Sequence, residues 1–85
     1  MTICVKFFAI LRDRAGLSEF ILTLEDGASV RRAIEKVAEK FEGVQSLLKP
    51  GTVAFAVNRA YVSPETELHE GDELALIPPV SGGAT

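Results

Sequence analysis

Ser29-Val30-Arg31-Arg32-Ala33-Ile34-Glu35-Lys36-Val37-Ala38-Glu39-Lys40-Phe41 is the stretch that decides the fold. Val30, Ala33, Ile34, Val37, Ala38 and Phe41 recur at i, i+3, i+4, i+7, i+8 and i+11, which places them on a single stripe of an α-helix. Ser29 stands where an N-cap belongs, its hydroxyl able to accept from a free backbone N–H of the first turn. Arg31, Arg32, Glu35, Lys36, Glu39 and Lys40 fall on the opposite side and read as a solvated face with no site. Gly43 is the expected stop. A helix with one apolar stripe needs one apolar surface to cover, and the flanking segments supply it.

Upstream, Ile3 to Ala9 is rich in β-branched and aromatic residues and reads as a strand. Ile3, Val5 and Phe7 share one face, with Cys4, Lys6 and Phe8 on the other. Ile10 to Gly16 is charged and ends in glycine, so it reads as a short helical turn or loop. Ser18 to Leu24 alternates again, with Phe20, Leu22 and Leu24 on one side, and is expected to lie antiparallel to the first strand. Glu25-Asp26-Gly27 is a turn before the helix.

Downstream, Lys49-Pro50-Gly51 breaks the chain before Val53 to Asn58, an apolar run expected toward the middle of the sheet. Asn58-Arg59-Ala60 turns into a short strand at Tyr61-Val62. Leu68 is expected to anchor a loop, and Glu73 to Ile77 forms the last strand, with Leu74 and Leu76 facing the helix. The order β-β-α-β-(β)-β describes an α+β domain, one helix laid across a mixed sheet. No second helix is available for the other face, which receives Phe8, Ile77 and Tyr61. Apolar groups gathered on an uncovered face point to a protein-binding surface.

Length and composition narrow the function classes. Eighty-five residues make one domain, and an apolar share of 47% provides a core. The net charge is −3, with both signs interspersed and no basic run, so nucleic acid is not an expected partner. The longest apolar stretch near the N-terminus, Phe7 to Leu11, is too short for a leader or a membrane span, and a cytoplasmic location is expected. A single cysteine, Cys4, excludes an internal disulfide and a cysteine-rich metal site. It reads as a packing residue rather than a reactive thiol, and His69 as a solvated turn residue.

The domain is read as residues 1–77, followed by a tail at 78–85. Pro78-Pro79-Val80-Ser81-Gly82-Gly83 describes a flexible, extended arm. The prolines bar a helix at its root, and the glycines carry no Cβ to block a narrow channel. Stretched, Pro78 to Gly83 spans about 20 Å. Such an arm suits the delivery of a carboxyl group into another protein's active site.

Val5-Lys6-Phe7-Phe8-Ala9, Leu11-Arg12, Gly16, Val57-Asn58, Val62-Ser63, Gly71-Asp72-Glu73 and Pro78-Pro79-Val80-Ser81-Gly82-Gly83 together resemble the small subunit of molybdopterin synthase, the MoaD family of ubiquitin-like sulfur carriers. The resemblance spans the whole domain and implies a ubiquitin-like β-grasp fold. It implies that Gly83 is adenylated by an ATP-dependent E1-like enzyme and converted to a thiocarboxylate. The loaded tail then enters the large synthase subunit and gives its sulfur to precursor Z, cyclic pyranopterin monophosphate, for molybdopterin. Gly82 provides clearance, Pro78, Pro79, Val80 and Ser81 guide the arm, and Phe8, Tyr61 and Ile77 dock against the partners. No permanent cofactor or metal is expected, only a transient acyl-AMP and thiocarboxylate. Catalytic groups belong to the partner proteins, and the implied assembly is a two-plus-two heterotetramer.

One departure from that pattern matters. Family carriers end at the second glycine, whereas here Ala84 and Thr85 follow, so the Gly83 carboxyl is held in a peptide bond. Three readings stand: removal by a processing peptidase, two residues foreign to the mature chain, or a carrier that does not work through Gly83. Rival functions are a sulfur carrier for thiamine, tRNA thiolation or a sulfur amino acid, a ubiquitin-like conjugation tag, and an inert interaction module.

Overall fold

The structure, a computed structural model, describes residues 1–48 and 52–78. The break at Lys49-Pro50-Gly51 and the tail from Pro79 to Thr85, including Gly82 and Gly83, lie outside the described residues. The elements are β1 (Thr2–Phe7), α1 (Ile10–Ala15), β2 (Glu19–Thr23), α2 (Val30–Lys40), α3 (Glu42–Gln45), β3 (Ala54–Val57), β4 (Ala60–Val62) and β5 (Glu73–Ile77). They form a mixed five-stranded sheet in the order β2-β1-β5-β3-β4, with β1 and β5 parallel and every other pair antiparallel.

The alternation read from the sequence sets the inner face. Phe7 pairs with Leu76, Leu76 with Phe55 and Phe55 with Val62, so one row of apolar residues crosses four strands. Val5 beside Leu74 and Ile3 beside Leu22 continue the layer. Against it α2 buries Val30, Ala33 and Val37, and Leu68 is fully buried as the loop anchor. Each of the valines and the leucine among them contributes about 1.5–3 kcal/mol on leaving water. The Ser29 hydroxyl caps α2 by accepting from the Arg32 backbone N–H at 3.3 Å. No described helix is long and apolar enough to cross a membrane.

Two expectations needed correction. The helix does not stop at Gly43: α2 ends at Lys40, Phe41 adopts an extended backbone (φ −125°), and Gly43 lies inside α3. The stripe ran on to Phe41 because that ring packs edge-on to Phe7 and Phe20, with centroids 5.4 and 4.9 Å away. The first strand ends at Phe7 rather than Ala9, because Ala9 takes φ 52° and redirects the chain into α1. β3 is an interior strand, as expected, paired with β5 on one side and the short edge strand β4 on the other, while the middle position belongs to β5.

Candidate docking face and the root of the tail

The sheet face away from α2 is assembled by register. Tyr61 pairs with Ala56, Ala56 with Ala75, Ala75 with Lys6 and Lys6 with Glu19, forming one outward row across all five strands. A neighbouring row joins Ala54 to Ile77 at the end of β5. Phe8 directly follows the end of β1 at Phe7, whose partner Leu76 precedes Ile77, so Phe8 leaves the sheet level with the last residue of β5. Tyr61 is 75% exposed, Phe8 is 43% exposed, and Ile77 is half-buried. Register therefore sets Tyr61 and Ile77 on the uncovered side, as parity required, and Phe8 is exposed just past the end of β1. Alanines at 54, 56 and 75 keep the ground between them low.

The other half of this face is charged. Lys6 Nζ lies 3.4 Å from Glu73 Oε1 and 3.9 Å from Glu19 Oε1. Cys4, two residues back along β1 on the same face as Lys6, is half-buried. Burial pushes its thiol above the ordinary value, and the Glu19 carboxylate adds to the shift. A thiol so placed is a weak nucleophile near neutral pH, in keeping with its reading as unreactive.

Tyr61 is carried by a two-residue hairpin. Val57 pairs with Ala60, and the two residues between them, Asn58 and Arg59, have φ 51° and 74°. Both left-handed residues match a type I′ turn, whose twist suits adjoining strands. The Asn58 amide ties the turn to the start of β5, accepting from the Glu73 backbone N–H and donating to Asp72 Oδ1, each at 3.0 Å. His69 is exposed; its backbone N–H donates to Asp72 Oδ2 at 2.8 Å, and its ring Nδ1 lies 3.9 Å from the same oxygen.

The described part of the tail is its root, Pro78, which directly follows Ile77. Gly82, Gly83, Pro79, Val80 and Ser81 lie outside the described residues, as do Ala84 and Thr85. Sequence reasoning missed Ile10, 42% exposed beside Phe8, because a residue opening a helix escapes strand parity. It also missed the strained Ala9, since alanine carries no turn signature. On the helix side, a groove of about 320 Å³, whose lining includes Ile34, Ala38, Leu48, Phe55 and Pro64, holds none of the site residues expected from the sequence.

A family model described as the ThiS family matches residues 5–83, a span that takes in both the docking face and the two glycines. The chain belongs to the ThiS family. A molybdopterin synthase sulfur carrier subunit from Chlamydomonas reinhardtii is 39% identical over 85 residues, covering 98% of this chain and 100% of the relative. A putative molybdopterin converting factor, subunit 1, from Pyrococcus furiosus superposes with a TM-score of 0.85 at 35% identity, covering 94% of this chain and 99% of that one. A structure of the complex of subunits 1 and 2 of molybdopterin-converting factor from Helicobacter pylori contains a chain that matches with a TM-score of 0.67 at 26% identity, covering 98% and 100%. The ubiquitin-like β-grasp expected of this ThiS-family chain is thus the fold it has, and the resemblance to sulfur carrier subunits holds over nearly its full length.

Proposed function

We propose that this chain is the sulfur carrier subunit of a molybdopterin synthase, working in the cytoplasm with its sulfur held at the Gly83 carboxyl. The observation that carries the reading is the 39% identity to a sulfur carrier subunit over 98% of this chain, together with the ThiS-family match through residues 5–83, which includes Gly82-Gly83. A carboxylate resists nucleophiles because its carbonyl is resonance-stabilised. In an E1-like partner, a Gly83 carboxylate oxygen attacks the α-phosphorus of ATP, and pyrophosphate leaves. The acyl-AMP then has a good leaving group, and a sulfide-level donor displaces AMP to give the thiocarboxylate. Its sulfur attacks a carbon of precursor Z and a carbon–oxygen bond there breaks, the oxygen leaving as water or as the opened phosphate ester. Water then cleaves the acyl–sulfur bond, which restores the carboxylate and leaves the sulfur on the precursor. A dithiolene holds two sulfurs, so each molybdopterin requires two loaded tails. Neither the acyl-AMP nor the thiocarboxylate persists as a bound cofactor.

In this reading the large subunit docks on the face bearing Phe8, Tyr61 and Ile77, within a two-plus-two assembly, and Pro78 to Ser81 direct the glycines into its pocket. The existence of a subunit 1–subunit 2 complex in the Helicobacter pylori neighbour supports such a partner. Gly83 is followed by Ala84, so a free carboxyl requires cleavage after Gly83 by a processing peptidase.

Reconstitution tests the proposal. Chain ending at Gly83, combined with activating enzyme, ATP, sulfur donor, large subunit and precursor Z, is expected to yield molybdopterin, whereas chain ending at Thr85 is not. Equal yields from both would refute the requirement for a free Gly83. A ladder of adducts resistant to reducing agent, with no sulfur loading, would identify a conjugation tag instead.

A further inference from the structure

Ala9 is held at φ 52°, ψ −127°. The Leu11 backbone N–H donates to the Phe8 carbonyl at 3.1 Å, so Ala9 is the first central residue of a turn of type II′ geometry. Glycine fills that position as a rule, because a Cβ there crowds the backbone. An alanine in this region is strained, and such strain persists only where the surroundings enforce it. Here they do: Phe7 on one side and Leu11 on the other are fixed in the core, 2% and 0% exposed. The residues between those anchors and the turn, Phe8 and Ile10, are the ones left in solvent, two large apolar side chains flanking one strained residue.

We propose that Phe8-Ala9-Ile10 is a preformed apolar ledge at the root of the tail, with Ile10 a contact residue for the large synthase subunit and Ala9 the positioning residue that fixes the ledge. The inference rests on the docking reading given above, and adds to it a residue and a reason for the strain. Phe8 is level with Ile77, and Pro78 begins the tail, so the ledge continues the docking face at the point where the arm departs. The occupant is an apolar groove on the large subunit bordering the mouth that admits the tail. Alanine restricts the turn to fewer conformations than glycine would, so less freedom is lost when the partner closes on it.

Titration calorimetry of the large subunit against chain ending at Gly83 provides the test, with thermal unfolding of the free chain measured in parallel. Ala9→Gly is expected to raise the unfolding midpoint by about 4 °C while weakening binding about fivefold. Opposite signs are the mark of a positioning role, because a purely structural residue moves both the same way. Ile10→Ser is expected to leave the midpoint nearly unchanged and weaken binding about tenfold or more. Wild-type affinity in either variant, or an Ala9→Gly chain that loses both stability and affinity, overturns the ledge while leaving the docking face intact. Absence of binding by the folded wild-type chain overturns both.

Discussion

Asn58 and Asp72 are joined by a 3.0 Å amide–carboxylate hydrogen bond that couples the β3–β4 hairpin to the entry of β5. The same Asn58 side chain accepts the Glu73 backbone N–H, and its own backbone N–H donates to the Glu73 carbonyl at 2.9 Å. Asp72 is largely buried, its side chain 14% exposed, and its second oxygen serves the His69 backbone N–H. The carrier of Tyr61 is a three-residue edge strand, so this clamp fixes much of its position.

Asn58→Ala is therefore expected to destabilise the domain by about 2 kcal/mol. It removes two hydrogen bonds, each worth about 1 kcal/mol, and places alanine at φ 51°. Asn58→Gly loses the same bonds but accepts the backbone angle, so its stability should lie between wild type and alanine. Urea unfolding of the three chains gives the order. An alanine variant as stable as wild type would mean that water replaces the clamp at no cost.

Gly43→Ala is expected to be destabilising by about 1–3 kcal/mol, as for overpacked sites. Helix propensity alone argues the reverse, since alanine in place of glycine stabilises a helix by about 1 kcal/mol. The close approach of α3 to α1 decides the sign, because an added methyl would lie 2.5 Å from the Arg14 carbonyl oxygen. That oxygen is backbone and cannot swing aside. Denaturant midpoints discriminate the two outcomes, and a stabilised variant would show that α3 slides freely.

Much of the fold was legible because its signals are local. The stripe from Val30 to Val37 and the alternation of Ile3, Val5 and Phe7 each report a period that only one backbone geometry satisfies. The same parity placed Phe8, Tyr61 and Ile77 on the uncovered face. What escaped was set by contacts distant in sequence. Gly43 reads as a helix stop until Arg14, 29 residues earlier, is found against it. Phe41 keeps helical spacing although its backbone has left the helix, because Phe7 and Phe20 hold the ring. The four-residue α3 is too short for a period to show. At the candidate site, Asn58 was visible as a turn residue and Asp72 within the Gly71-Asp72-Glu73 motif, but not as partners of one another, and nothing in an alanine announces a φ of 52°.

Acidification should weaken the attachment of the β5 entry loop to β1. The Glu70 carboxylate accepts from the Thr2 backbone N–H and from Thr2 Oγ1, both at 2.8 Å. The backbone bond first, and the hydroxyl second, hold its pKa below the ordinary glutamate value of 4.5. A depressed folded-state pKa means the contribution is complete above the unfolded value and disappears as pH falls through the folded one. Glu70→Gln should thus be slightly less stable than wild type at about pH 6, with the difference closing toward about pH 3. Paired urea titrations at the two pH values measure it. A gap that widens in acid would reverse the assignment.

Cys4 and Gly83 offer two chemically distinct places for a sulfur atom, a persulfide on the thiol or a thiocarboxylate at the glycine. Burial and the Glu19 carboxylate raise the Cys4 pKa, which keeps the thiol protonated near neutral pH and disfavours attack on a sulfur donor. Cys4→Ser is accordingly expected to load sulfur as well as wild type when chain ending at Gly83 is incubated with activating enzyme, ATP and donor. Intact mass reads the loading, and treatment with a thiol reductant separates the species, since a persulfide is reduced while a thiocarboxylate survives. The Cys4 thiol should also react slowly with iodoacetamide at neutral pH and faster as the solution becomes alkaline. Loss of loading in Cys4→Ser would place the transferable sulfur on the outer face of β1 and leave the glycines without their assigned role.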